Sequence, residues 1–281
     1  MEVWGGHESF RGAVSVPGHD VFVGCTPHVG DACGGDVYYV SSCSSGMISR
    51  FVLADVAGHG DAAAAKAGEL RSLVRRYINT PDQSRLARAL NRKFISRRVG
   101  GSDEGRFATA LLISYFAPTD HAIICNAGHP RPLLYSAAYD RWQFLDADVD
   151  DAVSGSGAPL PDLTNLPLGV IDSTGYTQFA IRLQQGDLLV LYSDAFLEAR
   201  SEGDAPWGEQ GLLDVFRSVA LRPIDPSELQ SRVLAEIHRR TRTSDLDDDA
   251  TMLVLHHNAS NPPRQTLTER LVVLGRQLGL S

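Results

Sequence analysis

Three short runs, "ALLI" at 110–113, "LLVL" at 188–191 and "MLVL" at 252–255, are apolar at every position. Successive side chains of a strand point to opposite faces, so a strand that is apolar at each step has to be covered on both sides. This excludes an open sheet with one wet face and asks for packed layers. Further strand patterns fall at 20–27, 37–43, 47–54, 107–117, 121–126, 131–135, 141–145, 176–183 and 187–193, with the last at 251–257. Helical spacing appears at 61–78 (Leu70, Leu73, Val74, Tyr77 and Ile78 on one face) and, after "NTP" at 79–81, at 82–97 with Leu86, Leu90 and Phe94. Two more helices are expected at 208–220 and 226–242, the latter aligning Leu229, Val233 and Ile237. Strands with short connections and helices arriving in pairs argue against a regular βαβ wind. The pattern predicts one domain, about 14–257, with sheets in the middle and helices outside. The acidic, Gly/Ser/Pro-rich stretch 146–166 reads as a long surface loop of the kind that is often functional.

With 43% hydrophobic and 21% charged residues, the 281-residue chain has the make-up of a soluble globular protein. A net charge of −8 argues against nucleic acid or an anionic membrane as partner. Arg71, Arg75, Arg76, Arg97 and Arg98 then read as solvated helix faces. No apolar run reaches the roughly 18–20 residues of a spanning helix, and the N-terminus has no signal-peptide pattern. Cys25, Cys33, Cys43 and Cys125 show no CxxC spacing, which fits reduced thiols in a cytoplasmic protein better than zinc.

The chemistry-bearing residues lie where apolar strands begin or end. If Cys43 pairs with Met47 across the "SSG" turn at 44–46, antiparallel partners sum to about 90 and Asp36 falls beside Ala54, next to Asp55. "LLVLYSDA" delivers Asp194 as its strand runs out, and "DDDATMLVL" sets Asp247, Asp248 and Asp249 just before another strand. Any one of these Asp residues reads first as a turn former or helix cap. Four of them converging would repel one another and raise one another's pKa unless cations sat between them. Oxygen-only ligation suits Mg²⁺ or Mn²⁺ rather than zinc.

The strings "GGDVYYV" (34–40), "DVAGHG" (55–60), "NAGHPRPLLY" (126–135), "LPLGV" (166–170), "GDLLVLYSDAFLEAR" (186–200) and "DDDATMLVL" (247–255) occur in one order. In that order the chain resembles the metal-dependent, type 2C-like serine/threonine phosphatases of the SpoIIE/RsbU branch. The resemblance implies an α+β fold, an α-β-β-α four-layer sandwich of two antiparallel sheets flanked by helix pairs. It covers 20–257, leaving 1–19 as an N-terminal extension and 258–281 as a linker and C-terminal helix. It further implies a site for two Mn²⁺ or Mg²⁺ ions held by Asp36, Asp55, the Val56 carbonyl, Asp194 and Asp248, with Asp249 as the fallback for Asp248. Asp55 would bridge the ions, and a metal-bound water would attack phosphorus. Asp36 and Asp55 thus enter as catalytic residues, with His59 as candidate proton donor to the leaving group. The segment "DVAGHG" has one more residue between Asp and "GHG" than eukaryotic relatives, and Tyr39 stands where many relatives carry a second Asp. His129 in "AGHP" is expected to fix a turn.

The implied substrate is a phosphorylated protein, a STAS-domain anti-sigma-factor antagonist of a bacterial partner-switching circuit, dephosphorylated at serine or threonine. Two other readings compete: a non-catalytic module that only docks a phosphoprotein, and a hydrolase of small phosphomonoesters. In the tail, Leu267, Leu271, Leu274 and Leu278 recur at 4-3-4 spacing, which fits a helix packed on its own domain or pairing with a second copy as a homodimer.

Overall fold

The computed structural model describes residues 2–28, 33–58, 60–96, 106–146, 153–154, 163–200, 205–219, 224–242 and 246–260. Its strands are β1 (Glu2–Glu8), β2 (Phe10–Val16), β3 (His19–Thr26), β4 (Cys33–Ser42), β5 (Ile48–Val56), β6 (Ala108–Phe116), β7 (His121–Ala127), β8 (Leu133–Ser136), β9 (Arg141–Phe144), β10 (Val153–Ser154), β11 (Phe179–Arg182), β12 (Leu188–Tyr192) and β13 (Ala250–His257). The helices are α1 (Gly60–Tyr77), α2 (Gln83–Ser96), α3 (Ala195–Glu198), α4 (Gly208–Val219) and α5 (Leu229–Thr241). One sheet runs β1-β4-β5-β6-β7-β11-β10 and the other β2-β3-β13-β12-β8-β9.

Three apolar layers glue these elements together, and each can be traced to alternation along the strands. Val40, Phe51, Leu53, Leu111 and Ile113 of the first sheet meet Val21, Val23, Leu189, Leu191 and Leu253 of the second between the sheets. The opposite face of the first sheet, with Val37, Tyr39, Val52, Ala54 and Leu112, is covered by Leu70, Leu73, Val74, Leu86 and Leu90 of α1 and α2. The outer face of the second sheet, with Leu188, Val190, Met252 and Val254, is covered by Leu212, Phe216, Val233 and Ile237 of α4 and α5. Every residue of "LLVL" and "MLVL" is thereby buried, on one face between the sheets and on the other under helices. The order of layers is α-β-β-α, as the sequence motifs imply. Among the described residues no helix is long and apolar enough to cross a membrane.

Two expectations change. The N-terminal residues are not an extension outside the domain: β1 pairs with β4 and β2 with β3, so residues 2–16 supply an edge strand to each sheet. The β4–β5 register is also shifted by one. Cys43 N–H donates to the Ile48 carbonyl (2.8 Å), which makes a four-residue turn of 44–47 rather than the three-residue "SSG". Partners therefore sum to 91, and Asp36 lies directly opposite Asp55, where Ala54 was expected. Of the acidic loop 146–166, the described part includes the two-residue strand β10 on the sheet edge. The expected C-terminal helix lies outside the described residues.

Candidate metal centre

The register of the β4–β5 hairpin builds the site. Cys43 and Ile48 form a hydrogen-bonded pair, and alternation down the ladder makes Asp36–Asp55 a non-hydrogen-bonded pair. Such pairs bring Cα atoms to about 4.5 Å and side chains closest. Both carboxylates point to the inter-sheet face, at the end of the sandwich where β3 and β12 finish and β6 and β13 begin. The ladder stops at this pair. The Gly35 N–H, next in line, donates to Asp249 Oδ2 (2.6 Å), and the Val56 carbonyl opposite faces the same spot. A Cβ on Gly35 would lie 2.7 Å from the Val56 oxygen and 3.6 Å from both Asp55 Oδ1 and Asp249 Oδ2. A Cβ on Gly34 would lie 2.5 Å from the Asp249 carboxylate. The two glycines of "GGD" are there because carboxylates and a carbonyl crowd against that backbone.

The second sheet brings the remaining carboxylates. Asp194 follows β12 at the first position before α3, yet makes no side-chain capping bond, so it does not spend its oxygens as an ordinary helix cap would. Asp248 and Asp249 precede β13. Asp249 is a buried latch, accepting from His28 N–H (2.7 Å) through Oδ1 and from Gly35 N–H through Oδ2. Asp248 accepts only the N–H of Asp249 (2.7 Å) among the described residues, and its charge reaches both Asp55 and Asp194. Of the two, Asp248 has the more freedom to serve as a ligand.

Electrostatics marks the cluster as incomplete. Asp36 is 1% exposed, and neither of its oxygens has a hydrogen-bond partner. Burial, then the Asp55 charge, push its carboxyl well above the usual range, against a smaller pull from the Thr251 hydroxyl. Burial and the charges of Asp194, Asp248, Asp249 and Glu198 raise Asp55 to about 7. Asp194 rises to about 6 through burial, Glu198 and Asp248. A buried carboxylate without donors is costly. Among the described residues no three His, Cys, Asp or Glu side chains close into a finished cage. The donor set of carboxylates plus one carbonyl nevertheless fits hard divalent cations, which would supply the missing positive charge.

The surroundings assign the other motif residues. Tyr39 stands three residues after Asp36 and so on the opposite face of β4, packed under α1 and α2. An Asp there would have no line to this site, so the Tyr takes nothing from it. Thr109 of β6 lies opposite Asp55, and its hydroxyl bonds His129 Nδ1 (2.7 Å). His129 is itself held by Asn126, whose Oδ1 accepts the His129 N–H (2.7 Å) and whose Nδ2 donates to the His129 carbonyl (2.8 Å). Burial presses the His129 ring down to about 3, so it is neutral and props Thr109 behind Asp55. His59 lies outside the described residues.

Ser193, Thr251 and Glu198 carried no signal that sequence reasoning used. Ser193 Oγ donates to the Asp249 carbonyl and accepts the Thr251 N–H, both 2.9 Å, which stitches β12 to β13 at the site. The available hint was a hydroxyl residue beside each strand-end Asp, in "YSD" and "DAT".

Comparison with known proteins places this arrangement. A family model described as stage II sporulation protein E matches residues 47–258. The stage II sporulation protein E of Bacillus subtilis is 28% identical over 101 residues, a match spanning 35% of this chain and 11% of that protein. A structure of the RsbU and RsbW domains of Rv1364c from Mycobacterium tuberculosis matches at TM-score 0.66 and 25% identity, covering 98% of this chain and 71% of that one. The PP2C phosphatase domain of SpoIIE from Bacillus subtilis, with a fragment of its regulatory domain, matches at TM-score 0.63 and 18% identity over 89% of this chain and 64% of that one. RsbX, solved in complex with magnesium, matches at TM-score 0.59 and 16% identity over 88% and 98%. The family match takes in β5 to β13, and with it Asp55, Asp194 and Asp248: the chain belongs to the stage II sporulation protein E family and has the fold of its PP2C phosphatase domain.

Proposed function

We propose that this protein is a Mg²⁺- or Mn²⁺-dependent phosphatase of phosphoserine or phosphothreonine, and that its substrate is a STAS-domain anti-sigma-factor antagonist. One observation carries the reading: Asp36 and Asp55 are cross-strand partners, both raised in pKa, and among the described residues neither oxygen of the buried Asp36 has a hydrogen-bond partner. Asp36, Asp55, the Val56 carbonyl, Asp194 and Asp248 are the residues that would hold the ions. Bound there, divalent cations activate water and neutralise phosphoryl charge.

The chain's own residues set the rest. Asp249 fixes the β4 approach through Gly35 and the segment after β3 through His28. Thr109 and His129 back Asp55, and Ser193 holds β12 and β13 in step. An uncompensated carboxylate cluster on a chain of net charge −8 repels a phosphate group, so the substrate is accepted only after the cluster is neutralised. His59 remains the candidate for protonating the leaving alkoxide. The substrate assignment draws on the likeness to the RsbU and RsbW domains of Rv1364c.

Purified protein is expected to hydrolyse p-nitrophenyl phosphate in Mn²⁺, to stop in EDTA, and to lose the activity with Asp55→Asn. It is expected to release phosphate from a phospho-STAS protein. Wild type that binds such a protein yet turns over neither substrate would make it a docking module instead.

A further inference from the structure

At the other end of the same hairpin, Arg50 poses an unsolved charge problem. It is 7% exposed, and among the described residues its Nε has no hydrogen-bond partner and no carboxylate pairs with it. A buried guanidinium is costly without an anion nearby. Cross-strand pairing shows what is available. Arg50 lies opposite Ser41, so its diagonal neighbours on the helix-covered face of the sheet are Tyr39 and Cys43. Both are in electrostatic contact with it and support its charge against the effect of burial. A thiol ionises well before a phenol.

Cys43 is equipped for that role. Its Sγ lies 2.9 Å from the Ser45 hydroxyl and accepts the Ile48 N–H at 3.1 Å. Burial pushes the thiol up, but the Ser45 hydroxyl and the N–H groups of Ile48, Ser45 and Met47 outweigh it, and the net shift is downward. Cys25 and Cys125 show the opposite behaviour, since burial drives both to about 12. Cys43 is only half-buried and sits at the start of the hairpin turn.

We propose that Cys43 is a reactive thiolate paired with the buried Arg50, and hence a site of oxidation by hydroperoxides and of alkylation by soft electrophiles. In the oxidation, the thiolate sulfur attacks one peroxide oxygen. The S–O bond forms as the O–O bond breaks, sulfur is oxidised by two electrons, and the departing hydroxide or alkoxide takes a proton from water.

The test is native alkylation of the full chain by iodoacetamide at pH 7, followed cysteine by cysteine with peptide mass mapping. Cys33, the other half-buried thiol, is the internal reference. Cys43 is expected to react about tenfold faster than Cys33, and to trap dimedone after peroxide treatment, as a thiolate should. Arg50→Met removes the charge and slows Cys43 by about five- to tenfold, while Arg50→Lys restores most of the rate. A purely structural role for Arg50 predicts the reverse sign, because a loosened turn would expose the sulfur. Should Arg50→Met fail to fold, Ser45→Ala, which removes the hydroxyl that lowers the thiol most and is expected to slow Cys43 about five- to tenfold, takes its place. A Cys43 no faster than Cys33, or an unchanged or faster rate in Arg50→Met, overturns the proposal.

Discussion

The two ends of this sandwich bury polar groups of opposite kinds. At one end, where Ala250 faces Thr26 across β13 and β3, sit Asp36, Asp55, Asp194 and Asp248. At the other, where His257 faces His19, sits a cluster of imidazoles. His19 is 1% exposed, and among the described residues neither ring nitrogen has a partner. It packs edge-on against Tyr115 at 4.2 Å and against His257 at 5.3 Å. Both ends hold buried polar atoms without partners among the described residues, but His19 sheds its charge by losing a proton, whereas Asp36, Asp55 and Asp194 shed theirs only by gaining one. Burial presses His19 down to about 3, so this imidazole is neutral. The near end holds carboxyls whose raised values favour bound protons or, on the function proposed above, divalent cations. Unsatisfied burial by itself does not mark a functional site; unsatisfied burial of charge does.

The largest expected effect is at Asp55. Asp55→Asn abolishes Mn²⁺-dependent hydrolysis and, in metal-free protein at pH 7.5, raises stability by a few kcal/mol, since ionising a carboxylate with a raised pKa costs about 1.4 kcal/mol per unit. Turnover and thermal melts in EDTA read both changes. A loss of activity with a loss of apo stability would mean that Asp55 is structural.

Gly35→Ala comes next. Its Cβ would press on the Val56 carbonyl at 2.7 Å, costing about 1–3 kcal/mol as overpacking does, and activity is expected to fall at least about tenfold. An unaltered Mn²⁺ titration in this variant would remove Val56 from the ligand set.

The two ends should also differ in pH response. Asp55 and Asp194 have folded-state values raised to about 7 and about 6. The native state holds their protons more tightly, so their contribution is present below about pH 4 and is lost as pH rises through 6–7. His19, depressed to about 3, has the opposite sign: its stability is full above about pH 6.5 and is lost as pH falls. Metal-free Asp55→Asn should therefore gain most over wild type at pH 7.5, and His19→Phe most at pH 5. Melting temperatures at the two pH values check this, and equal gains at both would break the contrast.

The smallest effect is His19→Phe at neutral pH. Replacing an imidazole without partners by a ring of similar shape should change stability by about 1 kcal/mol or less and leave hydrolysis untouched.

Much of this was legible in the sequence because the doubly apolar strands "LLVL" and "MLVL" admit few packings, and because Asp residues at strand ends are placed by the strands. The one-residue slip of the hairpin was not legible: whether 44–46 or 44–47 forms the turn depends on the Cys43–Ile48 bond. That single residue decides whether Asp55 points beside Asp36 or away from it. Strands β1 and β2 were hidden by glycines. A Cβ on Gly6 would meet the Tyr38 hydroxyl at 2.7 Å, a contact between strands that local pattern cannot reveal. The place of Tyr39 under α1 and α2 was hidden for a similar reason, since the face on which a residue sits follows from register and packing rather than from a motif string. The roles of Ser193 and Thr251 needed the pairing of β12 with β13.

The most direct measurement is a calorimetric titration of metal-free protein with Mn²⁺ at pH 7.5, beside the same titration of Asp55→Asn. Two ions bound per wild-type chain, with binding lost or reduced to a single weak ion in the variant, is the predicted result. Wild type and Asp55→Asn binding Mn²⁺ alike, or neither binding it at millimolar concentration, would contradict a two-cation centre at the carboxylate end.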